Sequence, residues 1–366
     1  MLPHYRSSDD KFPFYAGISL DSIVLGFCPV TINRFGQSAG KLQSLTSLVE
    51  SSETKHGLSE QWLNWLTGLI EADGSFPNEK DQTLSFYISQ STKNAPLIYA
   101  LKHWLGFGKV RWATFPKALA QDEGPWSKTG GTTSNGKTKH SERMVHYVIE
   151  DIPNLTILAN LINGRLRTEN KYEAYVKWIN RLNKNPVPRS QWPSVSGTRL
   201  PYGCTCNLGN LVKNKVIIKP LNPGIDYNWL AGFSEADGSF FIGLGNSPKS
   251  KLGVQITLNI SWTQKYRKTL ELIASDFKGT WSYNQTHKFW VFNIKRKSEI
   301  QKLLFSIFVE TPIYGIKRHD YLDLKRACEL FNTKQHLTDS GLELLLKMRS
   351  NINARRTLTS INSKNN

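Results

Sequence analysis

Two segments of the chain show the apolar spacing of an amphipathic helix. In the first, Leu66, Leu69 and Ile70 lie at positions i, i+3 and i+4, which places them on one face of a helix. In the second, Leu230 and Phe233 repeat part of this stripe. Each helical pattern ends at a glycine, and the residues that follow show the pattern of a strand. The sequence therefore predicts two helices that are each followed directly by a strand.

The same order of elements is predicted after both helices. Short alternating runs predict strands, and apolar residues at helical spacing predict the helices between them. Each repeat is therefore predicted to be α-β-β-α-β-β-α, an α+β fold with mixed β-sheets. The later strands are predicted over 84–90, 108–114 and 144–149 in the first repeat, and over 253–263, 280–283 and 289–294 in the second.

Composition divides the chain into five parts. The segment between the repeats is rich in proline and poor in acidic residues, which predicts a semi-rigid basic linker. The last residues include many Asn and Ser, which predicts a disordered tail. The predicted parts are an N-terminal extension at 1–57, a first domain at 58–183, the linker at 184–226, a second domain at 227–350 and the tail at 351–366.

The chain is strongly basic. Its 366 residues contain 47 Lys and Arg against 29 Asp and Glu, a formal net charge of +18. Both repeats and the linker are basic, as expected if they lie along one polyanion, although charge alone does not separate DNA from RNA or from an acidic membrane surface. No run is long and apolar enough to span a bilayer, so we expect no membrane partner. The cysteines and histidines lack the spacing of a zinc site.

The two predicted helices are copies of one phrase. Residues 65–76 and 229–240 are identical at nine of twelve positions, which predicts two similar domains related by a pseudo-two-fold axis. Within the phrase, Gly68 and Gly232 share a helix face with another small residue four positions later. Such a face allows two helix backbones to approach closely. These glycines are therefore predicted to lie at an interface between the two helices.

An aspartate lies at the end of each predicted helix. Asp73 and Asp237 precede Gly74 and Gly238, where we expect left-handed caps. A carboxylate at a helix C-terminus faces the negative end of the macrodipole, and two such ends that meet also repel each other. Because this unfavourable arrangement occurs twice, it indicates a functional site. A divalent cation would relieve both penalties.

Both phrases resemble the LAGLIDADG motif. Residues 66–74 match the nine letters of that name at seven positions, and residues 230–238 depart from it at three. The chain therefore resembles a two-motif LAGLIDADG homing endonuclease of the organellar, intron-encoded type. The resemblance implies two pseudo-two-fold-related αββαββα domains with saddle-shaped sheets over DNA, and motif helices at the domain interface. Glu71 and Glu235, at the first Asp of the name, are expected to support the helix ends or to stay solvated.

The resemblance also implies a metal-dependent site. It implies that Asp73 and Asp237 bind Mg²⁺, one serving each DNA strand, assisted by the carbonyl groups of Ala72 and Ala236. Magnesium binds few protein ligands and keeps several waters. One carboxylate per strand together with the scissile phosphates is therefore a sufficient cage, in which the metal activates water and neutralises the phosphate.

Further polar residues of the site are implied by the same resemblance. Gln90 and Gln264 match the glutamines that are expected to order water at the end of a strand. Lys295 matches a lysine that is expected near the phosphates after the fourth strand, whereas its counterpart in the first repeat falls near Glu150. This departure leads us to expect that the two strands are cut at different rates.

DNA reading is expected from basic residues of the strands and hairpin tips. Strand side chains reach base edges in the major groove, and residues at the tips contact phosphates. The candidates are Lys109, Arg111, Lys128, Lys137, Lys139, Lys249, Lys251 and Lys288.

The resemblance implies a monomeric, site-specific, double-strand DNA endonuclease that acts in intron homing, encoded in a mitochondrion or a chloroplast. Two alternatives stay open. One is an RNA maturase that assists splicing of its own group I intron, although intact Asp73 and Asp237 favour cleavage. The other is a non-catalytic DNA-binding regulator, which typically carries an added helix-turn-helix domain that this sequence does not show.

Overall fold

Two sheets, each covered by helices, make up the fold. The structure, a computed structural model, describes residues 59–77, 83–113, 144–185, 215–250 and 253–353. Within these ranges each copy of the repeated phrase begins one α+β unit, which confirms the predicted two-domain plan. No helix in these ranges is long and apolar enough to cross a membrane.

The described part of the first repeat contains four strands and four α-helices. Its antiparallel sheet has the strand order β1-β2-β4-β3. The elements are α1 (Glu60–Asp73), β1 (Gly74–Ser75), β2 (Phe86–Ser91), a 3₁₀ turn (Thr92–Asn94), α2 (Ala95–Leu105), β3 (Lys109–Trp112), β4 (Met144–Ile149), α3 (Ile152–Ile162) and α4 (Glu169–Lys184).

The second repeat follows the same order with longer strands. Its sheet has the order β5-β6-β8-β7 and is also antiparallel. The elements are α5 (Tyr227–Asp237), β5 (Gly238–Asn246), β6 (Val254–Gln264), α6 (Arg267–Ala274), β7 (Thr280–Asn284), β8 (Phe289–Ile294), α7 (Lys297–Lys302), a π turn (Leu303–Ile307), α8 (Phe308–Glu310), α9 (Lys317–Asn332), a 3₁₀ turn (Gln335–Leu337) and α10 (Asp339–Asn351).

The prediction of mixed sheets is wrong, because all described strand pairs are antiparallel. Strands β2 and β3 flank a helix and run in the same direction, but β4 lies between them. The helical connection therefore skips a strand, and no parallel pair forms. The seven-element plan also extends by one helix, since both α3 and α4 follow β4 and their counterparts follow β8.

Both motif helices begin at a side-chain cap and bury the predicted stripe. Ser59 Oγ accepts a hydrogen bond from Trp62 N at 3.1 Å, and Asp226 Oδ1 accepts one from Trp229 N at 2.9 Å. These caps satisfy backbone donors that have no partner inside the helix. Apolar side chains of the predicted stripe, such as Leu66, are fully buried.

The glycines after the motif helices do not form left-handed caps. Gly74 has φ −72° and Gly238 has φ −70°, both with extended ψ. A side chain is excluded here by space, because an added Cβ would lie 2.6 Å from Ile70 O in the first repeat and 2.5 Å from Ser234 O in the second. In each repeat the chain therefore passes directly from the motif helix into a strand.

The motif helices α1 and α5 pack against each other at the two glycines predicted for this interface. A Cβ on Gly68 would lie 2.0 Å from Trp229 O, and one on Gly232 would lie 1.8 Å from Trp65 O. Trp65 and Trp229 occupy the same position in the two copies of the phrase. The contact is therefore reciprocal, as a pseudo-two-fold axis between the helices requires.

The end of the predicted linker packs on the first repeat. Val216 N donates to Asn183 Oδ1 at 2.9 Å, and Asn183 Nδ2 donates to Val216 O at 3.0 Å. Asn163 Oδ1 accepts from Lys219 N at 2.9 Å, and Arg167 Nη1 donates to Gly224 O at 2.7 Å. Residues 186–214 of the linker lie outside the described ranges.

The predicted start of the disordered tail is wrong. Helix α10 continues through Asn351, and Ile352 is buried. Asn353 Nδ2 donates to Phe240 O, so the chain is held on β5 at this point. The second domain therefore extends at least to Asn353, and the rest of the tail lies outside the described ranges, as do the residues of the N-terminal extension.

Candidate metal centre

Asp73 and Asp237 are brought together by the crossing of α1 and α5, because each is the last residue of its helix. Burial raises the pKa of Asp73. Burial and then the neighbouring Asp73 charge raise the pKa of Asp237 to about 7, although Lys317, Lys171 and Gln264 act to lower it. A buried carboxylate whose pKa is raised further by a neighbouring carboxylate lies in a place where a cation would be favourable.

A glutamine contacts each aspartate. Gln90 Nε2 donates to Asp73 Oδ2, and Gln264 Nε2 donates to Asp237 Oδ2. Gln90 lies on β2 and Gln264 is the last residue of β6, so both stand on the strand that pairs with the one following the motif helix. The structure thus places both predicted glutamines beside the predicted aspartates.

Two lysines that the sequence analysis did not single out complete the cluster. Lys171 Nζ donates to Gly74 O, and Lys317 Nζ donates to Gly238 O. Each lysine lies in the first turn of a helix, α4 or α9. Burial lowers the pKa of both ammonium groups, while Asp73 and Asp237 act to raise it.

An internal repeat could have revealed these lysines. Lys171 is followed four residues later by Tyr175, and Lys317 by Tyr321. Both tyrosines are buried, and each donates to a backbone carbonyl of the preceding helical segment. The shared spacing Lys-x-x-x-Tyr at the start of a helix in each repeat is the signal that was available.

Lys295, the lysine predicted for the phosphates, lies elsewhere. It is exposed immediately after β8, and no described contact joins it to either aspartate. Its counterpart Glu150 accepts two hydrogen bonds from Arg111, at 2.6 and 2.5 Å. Lys171 and Lys317 supply one lysine to each half of the cluster, and unequal cutting of the two DNA strands stays a prediction.

The motif glutamates are buried and hydrogen-bonded, so of the two alternatives expected for them, supporting the helix ends or staying solvated, the second is wrong. Glu71 Oε1 accepts from Thr168 N and from Thr168 Oγ1, both at 2.7 Å. Glu71 Oε2 accepts from the indole of Trp229 on the other motif helix. Glu235 Oε2 accepts from Tyr314 N at 2.6 Å. Each glutamate thus holds the loop that leads into a lysine-bearing helix.

The donor set fits a hard divalent cation that is held by few protein ligands. Asp73 and Asp237 supply oxygen, and the carbonyl groups of Ala72 and Ala236 lie next to them in the chain. No cluster of three or more His, Cys, Asp or Glu residues suited to a metal occurs in the described ranges. A cation here would therefore need water or phosphate oxygens in its remaining positions, as Mg²⁺ prefers.

The predicted DNA-contacting residues are only partly described. Lys109 and Arg111 lie on β3, where both approach Glu150, Lys109 at 3.9 Å. Lys249 is exposed in a turn, and Lys288 is exposed at a left-handed position between β7 and β8. The other candidates, Lys128, Lys137, Lys139 and Lys251, lie outside the described ranges.

Comparison with known proteins agrees with this geometry. A sequence profile of the LAGLIDADG endonuclease family matches residues 230–328, and the motif residues of both repeats lie at one helix interface. The second repeat is therefore a LAGLIDADG domain. A probable intron-encoded endonuclease 4 of Neurospora crassa is 25% identical to this protein over 90% of the chain. The chain spans about half of that relative's length, 52%.

Two further similarities extend over most of the chain. An uncharacterized mitochondrial protein, RF1, of Saccharomyces cerevisiae is 24% identical over 84% of this chain and 63% of its own length. The crystal structure of the LAGLIDADG meganuclease I-CpaMI, bound to uncleaved DNA, covers 80% of this chain and 99% of its own, with TM-score 0.55 and 20% identity. This structural similarity confirms the fold of the chain.

Proposed function

We propose that this LAGLIDADG protein is a site-specific, Mg²⁺-dependent endonuclease that cuts both strands of double-stranded DNA. The observation that carries the proposal is the cluster of two aspartates, two glutamines and two lysines at the crossing of α1 and α5. Its relative in Neurospora carries the name of an endonuclease, and I-CpaMI was crystallised with DNA. The net charge of +18 suits a polyanionic substrate.

The chemistry is divided equally between the repeats in this proposal. Asp73 and Asp237 hold Mg²⁺, with the carbonyls of Ala72 and Ala236 as supporting donors, and each aspartate serves one strand. Bound Mg²⁺ supplies an activated water and neutralises charge on the scissile phosphate. A water attacks phosphorus, and the bond from phosphorus to the leaving oxygen breaks.

The remaining residues position water and charge. Gln90 and Gln264 orient water next to the carboxylates that they contact. Lys171 and Lys317 place an ammonium group beside each half of the site, where it stabilises negative charge on the phosphate as the bond breaks. Because burial lowers the pKa of both lysines, each also transfers a proton toward the leaving oxygen more readily than an exposed lysine would.

One chain carries both halves of the site, so the protein acts as a monomer. Its relative RF1 is named as mitochondrial, which supports expression from a mitochondrial intron over a chloroplast one. In that setting the target is the junction at which the intron inserts, and cutting it leads to intron homing.

The test is cleavage of a plasmid that carries the intronless junction. Linear product in Mg²⁺, and none in EDTA, is expected for the wild type. Asp73→Asn should leave nicked circles, because one strand loses its carboxylate, and Asp237→Asn should nick the opposite strand. Exposed Asp339→Asn is the matched control and should cut normally.

The result that overturns the proposal is binding of the junction without cutting in Mg²⁺. Tight binding of the intron RNA in the same experiment would instead favour the maturase. Full double-strand cutting by both aspartate variants would remove these carboxylates from the chemistry.

A further inference from the structure

We propose that Asn94 is a positioning residue that joins the two halves of the site, setting Gln90 in one repeat and the Lys317 segment in the other. This inference rests on the proposed function for its effect on cleavage. Asn94 lies in the 3₁₀ turn after β2 and is 3% exposed. It contacts neither aspartate in the described structure, so its action is indirect.

The side chain of Asn94 does not cap its own helix, although it stands in the position to do so. It occupies the N-cap position of α2, where asparagine usually accepts a hydrogen bond from the first turn of its own helix. No such bond is present. Its two polar atoms are used elsewhere: Nδ2 donates to Gln90 Oε1 at 3.0 Å, and Oδ1 accepts from Ile316 N, also at 3.0 Å.

These bonds form a directed chain across the repeats. Gln90 Nε2 donates to Asp73, Asn94 donates to Gln90, and Ile316 N donates to Asn94. The backbone donor fixes which atom of Asn94 is the acceptor, and this in turn fixes the amide of Gln90. Ile316 directly precedes Lys317, whose Nζ contacts Gly238 O beside Asp237.

The loop that receives Asn94 has no room for a side chain at Gly315. A Cβ on Gly315 would lie 2.3 Å from Asn94 Oδ1 and 2.4 Å from Glu235 Oε1. The backbone before Lys317 is therefore held between an amide of the first repeat and a carboxylate of the second. Loss of Asn94 would remove the hydrogen bond that holds this backbone from the side of the first repeat.

The other repeat lacks an equivalent amide. Four residues after Gln264 stands Lys268, whose Nζ pairs with Glu169 Oε1 at 2.5 Å with both side chains more than half exposed. Beside it, Thr269 Oγ1 donates to Asn170 Oδ1 at 3.3 Å. These more exposed contacts reach the residues before Lys171. Within the described ranges, the buried link from a site glutamine to the opposite lysine segment is therefore the one through Asn94.

The test uses the full chain and a DNA duplex labelled on each strand in turn, with each strand assigned to its aspartate by the Asp73→Asn variant. Asn94→Ala removes both contacts and should slow both strands about tenfold in single-turnover reactions, the loss expected for a hydrogen bond of ordinary strength. Asn94→Asp keeps an acceptor for Ile316 N but loses the donor to Gln90. It should slow the Asp73 strand alone and leave the other within about twofold.

Asn163→Ala is the matched control. Asn163 is a buried amide of the same repeat that, like Asn94, makes two hydrogen bonds, here both with backbone atoms, to Ile217 O and from Lys219 N. Its loss should lower stability without changing the ratio of the two strand rates. A residue with a purely structural role would behave in the same way.

Hydrogen exchange at Ile316 N gives a readout that does not require cleavage. Exchange should become about tenfold faster in Asn94→Ala and stay near wild type in Asn94→Asp and Asn163→Ala. Equal slowing of both strands in Asn94→Asp, or unchanged exchange in Asn94→Ala, overturns the inference. If the wild type does not cut DNA, the proposed function fails, and the exchange result alone decides whether Asn94 positions the loop.

Discussion

Substituting Gly232 by alanine tests whether the close approach of α1 and α5 sets the site. The added Cβ would lie 1.8 Å from Trp65 O and 2.7 Å from Trp65 C, both backbone atoms. To reach ordinary contact, the helices must move apart by roughly 1.5 Å. Overpacking of this kind costs about 3 kcal/mol, and backbone on the opposing side prevents relief by a rotamer change.

The displacement also reaches the reacting groups. Asp237 lies five residues after Gly232 on the same helix, so its carboxylate moves relative to Asp73. A misplacement of roughly 1 Å can reduce a reaction about 100-fold. We therefore expect Gly232→Ala to lower Tm by roughly 6 °C for a protein of this size and to reduce plasmid cleavage by about two orders of magnitude.

Differential scanning calorimetry and single-turnover cleavage measure the two effects separately. Gly245→Ala is the control for stability, because its Cβ would meet no atom within 4 Å, and its Tm should stay near wild type. A Gly232→Ala protein with wild-type Tm and wild-type cleavage would refute the argument that the glycine is required by backbone contact.

Three further predictions concern charge in the site. Lys317→Met should slow the strand served by Asp237 about 100-fold, since it removes a positive charge placed for the transition state, as measured with strand-specific labels. Glu71→Gln should reduce the free energy of unfolding by about 3 kcal/mol in urea titrations, because an amide donor would face groups that are already donors. The pKa of Asp237 is raised from 3.8 to about 7, so the folded state keeps a proton that the unfolded state releases. Stability without metal should therefore fall as pH rises from about 4 to about 7, while the affinity for Mg²⁺ should rise over the same interval.

Each of these predictions has its own control. Lys295→Met should cut both strands normally, because Lys295 is exposed and away from the aspartates; a loss equal to that of Lys317→Met would restore Lys295 as the phosphate-binding lysine. Exposed Glu173→Gln should unfold like the wild type. Stability that rises with pH across this interval, measured in EDTA, would contradict the raised pKa of Asp237.

The repeated phrase made much of the fold and half of the site predictable. Because the aspartates and glycines lie within the phrase, their spacing along one helix decides which residues reach the interface. The glutamines follow within one hairpin and were predicted from the family resemblance that the phrase carries. Strand order was not predictable in this way, because periodicity shows which residues form strands but not which strands pair.

The residues that the sequence analysis missed depend on contacts between distant segments. Lys171 and Lys317 reach the aspartates only because the starts of α4 and α9, far along the chain, lie beside the glycines that follow the motif helices. Glu71 is buried because the loop before α4 supplies its donors. The sequence of its own helix does not show whether such a carboxylate is exposed or buried, because tertiary packing decides which hydrogen-bond donors surround it.

The docked end of the linker decides where the two halves of the molecule can be exchanged. Residues 215–224 belong physically to the first half, since Asn163, Arg167 and Asn183 hold them there. A graft made just after α4 would strip these partners and expose Val216, which is 4% exposed. A fusion point directly before Asp226, the residue that caps α5, keeps residues 215–224 together with the first half. Chimeras that recombine recognition halves from related proteins are therefore best joined there.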